Sequence, residues 1–169
     1  DIDGRWLTDV LQMNGVDAVV KSAAKKNVGT GQIGDSVRFT LDYERDAPNA
    51  PRSLVGKFPS PDDTSRNTGI GLGNYNREVQ FYKDLAPRAG ISTPKCYYTD
   101  IDERHEFVLI MEDLAPADQG DQLKGVTIPQ ARLVMEEAAK LHASFWNDDF
   151  IETLPYVSGS RASQEGGGG

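Results

Sequence analysis

A glycine turn that leads into a strand, not a helix, constrains this chain more than any other feature. Gly29, Gly31 and Gly34 fit the spacing G-x-G-x-x-G. Where such a turn opens a helix, it holds a dinucleotide's pyrophosphate at the helix N-terminus. Here Val37, Phe39, Leu41 and Tyr43 alternate with Arg38, Thr40 and Asp42. That period of two predicts a half-buried strand. The acid that a dinucleotide fold needs about 20 residues beyond the turn is also missing; Pro51, Ser53 and Leu54 occupy that region. An NAD-dependent oxidoreductase is therefore the weakest reading. A hairpin whose glycines let the backbone close over phosphates fits better, with a ligand-free hairpin as its bland counterpart.

The next strand, residues 53–58, carries one cation, Lys57, in the apolar run Leu54-Val55-Gly56-Lys57-Phe58. Pro59 and Pro61 end it. Residues 59–73 are rich in Gly, Ser and Asp and read as a mobile loop. Asn74 is suited to cap a helix over 75–86. On that helix Glu78 shares a face with Phe81, Tyr82 and Leu85. A carboxylate on an apolar stripe needs a cation or a place at the solvated edge, and Lys57 is the candidate cation. Strands follow at 95–99 and 107–111. The segment Met111-Glu-Asp-Leu114 then turns polar and runs into Pro116. A connector of this kind can offer backbone groups of Glu112 and Leu114 to a base edge, with Met111 at the back of the pocket.

Trp6, Leu7, Val10 and Leu11 recur at helical spacing, predicting a helix over 3–13 that Gly15 stops. Residues 18–28 are predicted to form the first strand. Thr127-Ile-Pro-Gln130 is a capping box that starts a helix running to about Trp146. Its stripe includes Val134, Met135, Leu141 and His142, the histidine read as packed, and exposure of this stripe would favour self-association. Three strands, a helix and two more strands make an α+β arrangement, not an alternating one.

The composition of the 169 residues fits a globular protein: 38% are hydrophobic and 26% charged. A formal net charge of -8 argues against coating nucleic acid or an anionic membrane. Cys96 is the single cysteine, which excludes an internal disulfide and a cysteine-based zinc site and suits a buried strand thiol. No targeting or membrane-spanning pattern is evident, so the cytoplasm is the expected compartment. The start at Asp1 and the Gly166–Gly169 end look cut or processed, and residues 158–169 read as a flexible tail.

Six segments in order resemble the first half of the aminoglycoside/choline phosphotransferase superfamily, nearest its ecdysteroid-kinase-like branch. They are Trp6-Leu7, the glycine turn, Val55-Gly-Lys57, Arg77-Glu78-Val-Gln-Phe-Tyr82, Leu109-Ile-Met-Glu-Asp-Leu114 and Leu141-His-Ala-Ser-Phe-Trp146. The resemblance implies a protein-kinase-like N-terminal lobe over 1–111, with a five-stranded antiparallel sheet and one helix. A hinge and the first helix of a C-terminal lobe would follow over 112–157. It further implies ATP- and Mg2+-dependent phosphorylation of a small-molecule hydroxyl. Gly29, Gly31, Gly34 and Lys57 would meet the phosphates, Glu78 would pair with Lys57, and Met111, Glu112 and Leu114 would hold adenine. The family's catalytic histidine-x-aspartate loop and metal-binding aspartate have no match in 147–169, so no catalytic residue is expected in this chain. A kinase-like binding module without chemistry is the alternative. Two departures stand out: the valine after the glycine turn is shifted by one residue to Val37, and Gly56 stands where alanine is common.

Overall fold

The computed structural model describes residues 2–29, 33–117, 120–121 and 123–158. Two compact units divide the chain: Asp1–Tyr75 with Pro94–Ala115, and Asn76–Thr93 with Pro116–Gly169.

The first unit opens with α1, Gly4–Met13. Asp3 caps it by accepting the Trp6 N–H at 2.8 Å, satisfying one of the donors that a helix start leaves without a partner. Beyond the C-cap Asn14, Gly15 takes φ 75, a left-handed turn that glycine adopts without strain. Leu7, Val10 and Leu11 are fully buried. Taking each out of water contributes roughly 1.5–3 kcal/mol. Buried Thr8 fixes the helix to the sheet: its hydroxyl donates to the Gly4 carbonyl and accepts the Val20 N–H.

The sheet is α1's partner. Its strands are β1 (Val20–Asn27), β2 (Gly34–Tyr43), β3 (Ser53–Pro59), β4 (Cys96–Ile101) and β5 (Phe107–Glu112). All pair antiparallel, in the order β1-β2-β3-β5-β4. Directly opposed residues share a face and neighbours along a strand alternate, so the register sorts the sheet into two faces. One face carries Phe39, Leu41, Leu54 and Ile110 and forms a single buried cluster with Leu7 and Leu11 of α1. The other face carries Ser36 and Arg38 of β2, Val55 and Lys57 of β3, and Leu109 and Met111 of β5.

Residues 59–73 do not form the loop expected from their composition. A helix, α2, spans Asp63–Gly71, capped by Asp62 on the Ser65 N–H at 2.8 Å. Gly69 looks like a loop glycine but serves close packing: a Cβ there would lie 2.6 Å from the Tyr75 ring. Tyr75 is 2% exposed and packs on Phe107, with ring centroids 4.7 Å apart. Its hydroxyl donates to the Ile33 carbonyl and accepts the Ser60 N–H. An Arg66–Glu106 ion pair ties α2 to the turn before β5.

Helix α3, Asn74–Gln80, starts at Asn74 itself, which is helical and not the cap. From Phe81 to Leu85 the chain continues as a π-helical turn, with the Ala86 N–H donating to the Phe81 carbonyl at 2.8 Å. The wider turn breaks the spacing assumed for the Glu78, Phe81, Tyr82 and Leu85 stripe.

In the second unit, α4 spans Ile128–Ser144 with the expected capping box: Thr127 accepts the Gln130 N–H and Gln130 accepts the Thr127 N–H. Polar contacts attach it to the segment after the π turn. Glu137 accepts the Ser92 N–H at 2.8 Å, and the Ser144 hydroxyl accepts the Gly90 N–H at 2.9 Å. The Arg88 guanidinium pairs with Asp148 at 2.8 Å and lies 4.0 Å from the Phe150 ring centroid. A 3-10 turn over Asp149–Thr153 and a short α5, Pro155–Ser158, follow, neither of which periodicity announced. His142 is exposed, against its reading as a packed histidine. Val134 and Met135 are 58% and 63% exposed, so the apolar stripe of α4 is not a core stripe within the described residues.

Candidate functional site

The site residues named from sequence fall at defined places. Lys57 lies on β3 in the middle of the sheet, half-buried, between Ser36 of β2 and Leu109 of β5. Its face is the one opposite α1. Gly29 leaves β1 at φ 79, and Gly34 is the first residue of β2. Gly31 lies outside the described residues. Ser36, which faces Lys57, is thus two residues inside the turn. Met111 is 8% exposed and sits on the same face, opposite Val55. Glu112 ends β5, and exposed Leu114 follows in the connector. From the Lys57–Leu109 row to Asp113 is four strand residues, about 13 Å. Glu78 lies on α3 in the second unit, whereas Lys57 belongs to the first.

The one-residue shift of the valine has a definite consequence. A strand slip of one residue exchanges faces. Val37 packs into the α1 core, and the polar Ser36 takes the position opposite Lys57. Gly56 also has a structural reason. A Cβ there would sit 2.8 Å from both the Phe39 and Phe58 rings, which meet edge-to-face across that space. The two rings fill the place of a methyl group.

Sequence reasoning missed a multiply bonded polar group of this face, Asp113. Its side chain is 5% exposed and accepts from Arg38 Nε at 2.6 Å, Arg38 Nη2 at 3.0 Å, Ser53 Oγ at 2.7 Å and the Ala115 N–H at 3.1 Å. Burial pushes its carboxyl up, but the Arg38 and Ser53 bonds, the Ala115 N–H and the Arg38 charge outweigh this and hold it below the usual carboxylate range. The signal was present as Arg38 and Ser53 at even spacing on the Lys57 face of two adjacent strands. Glu112 is also engaged: its N–H donates to the Lys95 carbonyl at 2.8 Å, and its carboxylate accepts the Lys95 N–H at 3.2 Å. As a backbone donor it is spent.

Half-buried Cys96 fits an inert strand thiol, its pKa raised by burial against a smaller lowering from the Tyr98 N–H. His105 is exposed in the β4–β5 turn at φ 62. Among the described residues no group of three or more His, Cys, Asp or Glu side chains could hold a metal ion. No helix among them is long and apolar enough to cross a membrane.

Residues 33–145 match the family model described as ecdysteroid kinase-like. The chain belongs to the ecdysteroid kinase-like family. The matched span opens just before β2 and closes at the C-cap of α4. The α+β fold, with its five-stranded antiparallel sheet, is that of a kinase-like N-terminal lobe. A search of curated proteins gives no match.

Proposed function

We propose that this ecdysteroid kinase-like chain carries the nucleotide-holding half of an ATP-dependent phosphotransferase acting on a small-molecule hydroxyl. One observation supports the reading: on the sheet face opposite the α1 core, Lys57 lies between the Gly34 end of β2 and the connector end of β5. The separation along the row suits an extended nucleoside triphosphate, base at the connector and phosphates at the lysine. Lys57 supplies a compact, rotatable cation to the phosphates. The backbone N–H groups around Gly29, Gly31 and Gly34 supply further donors. Met111 closes the base pocket, the Glu112 carbonyl accepts from the base and the Leu114 N–H donates to it. On sequence grounds the reading assigns Glu78 to the Lys57 ammonium.

Phosphoryl transfer also needs a group to orient the acceptor hydroxyl and carboxylates to hold Mg2+. The described residues supply no such carboxylate cluster. The chain is expected to bind nucleotide without turning it over. Thermal unfolding with millimolar ATP, NAD or no ligand tests this. A rise in midpoint with ATP and not with NAD is the expected result. A rise with NAD alone would overturn the reading.

A further inference from the structure

We infer that Asp113, Arg38 and Ser53 form a latch that fixes the connector after β5 to the sheet, making Arg38 and Asp113 positioning residues for the base end of the site. A carboxylate that is 5% exposed is stable only when its lone pairs are filled. Here they are filled from three elements: β2 through both Arg38 donors, β3 through the Ser53 hydroxyl, and the connector itself through the Ala115 N–H. The Arg38 fork is the stronger contact because it is bidentate and charge-assisted. Arg38 is 34% exposed, so its remaining surface lies on the Lys57 face beside Val55. The Ala115 N–H closes a turn over Leu114, so the latch sets where the Leu114 N–H points. A loop held only by its own backbone would be free to sample other paths.

The functional part of this inference rests on the nucleotide reading; the latch does not. Two variants separate them. Ser53→Ala removes one bond and keeps both charges, so the fold is retained. Asp113→Asn removes the charge. Amide hydrogen exchange at Leu114 and Ala115 is expected to accelerate about tenfold in Asp113→Asn, the scale of one lost charge-assisted bond, and less in Ser53→Ala. Exchange at Leu109 and Ile110 in β5 should stay within about twofold of wild type, since distant sites are nearly independent. Binding of ATP should weaken about tenfold in Asp113→Asn while binding of tripolyphosphate, which has no base, holds. Unchanged connector exchange, or equal acceleration through β5, overturns the latch. Equal weakening of ATP and tripolyphosphate overturns the positioning role and leaves the latch standing. Wild-type protein that binds neither probe overturns the nucleotide reading and the positioning role with it, while the exchange data still decide the latch.

Discussion

Replacing Gly56 by alanine is expected to destabilise the protein, although alanine is the residue that resemblance to the family makes ordinary there. The new Cβ would lie 2.8 Å from Phe39 Cε2, 2.8 Å from Phe58 Cζ and 2.9 Å from Phe58 Cε2. Carbon atoms in contact prefer about 3.5–4.0 Å, so at least one ring has to move. Phe39 cannot move cheaply, because it is 2% exposed and wedged against the α1 core. Phe58 is only partly buried and is the ring expected to yield. Overpacking of this kind costs about 1–3 kcal/mol. Against it, alanine restricts the unfolded chain and returns about 0.4–1 kcal/mol. The expected net loss is about 1–2 kcal/mol, or about 2–8 °C in midpoint for a chain of this length. Urea unfolding followed by far-ultraviolet circular dichroism measures it. Combining Gly56→Ala with Phe58→Leu should recover much of the loss, because neighbours that clash are not additive. A Gly56→Ala variant as stable as wild type, or a double variant showing simple addition, would refute the packing argument.

Gly69→Ala should cost about 1–3 kcal/mol by the same overpacking, here against the buried Tyr75 ring, read as a lower urea midpoint. Thr99→Val should stabilise by about 1 kcal/mol, because the Thr99 hydroxyl is buried with no hydrogen-bond partner among the described residues; a lower midpoint would mean that it has one. The depressed Asp113 carboxyl predicts acid sensitivity of a definite sign. Its contribution is fully present above the unfolded carboxyl value near 3.9 and is lost as pH falls through the lower folded value. Asp113→Asn should therefore be less stable at pH 7 and should show a shallower loss of stability below about pH 4 than wild type in the same titration.

Much of the sheet was legible because its signals are local. Alternation fixed β2, and the burial of Phe39 and Leu41 follows from it. The α1 stripe and the Thr127 capping box worked for the same reason: spacing and cap chemistry act within a few residues. What failed depended on distant partners. Gly69 looks like a loop residue until Tyr75 is placed against it, and Gly56 looks like drift until Phe39 and Phe58 meet across it. The π turn at Phe81–Leu85 changes the helical period, which a fixed-period reading cannot detect. Of the candidate site residues, the ones that alternation could place are Lys57, Gly34 and Met111, which lie along one sheet face. Asp113 was not legible, because a connector aspartate declares itself only when Arg38, 75 positions earlier, is brought beside it.

The most direct measurement of the central claim is a millimolar titration of ATP and tripolyphosphate into wild type and Lys57→Ala, read from backbone amide shifts along β3 and the connector. Wild type is expected to bind both, with both probes shifting residues near Lys57 and only ATP shifting Met111 and Leu114. Lys57→Ala, still folded, is expected to lose about tenfold or more for both probes, since each depends on the same charge-assisted contact. Equal binding by Lys57→Ala and wild type would contradict the account.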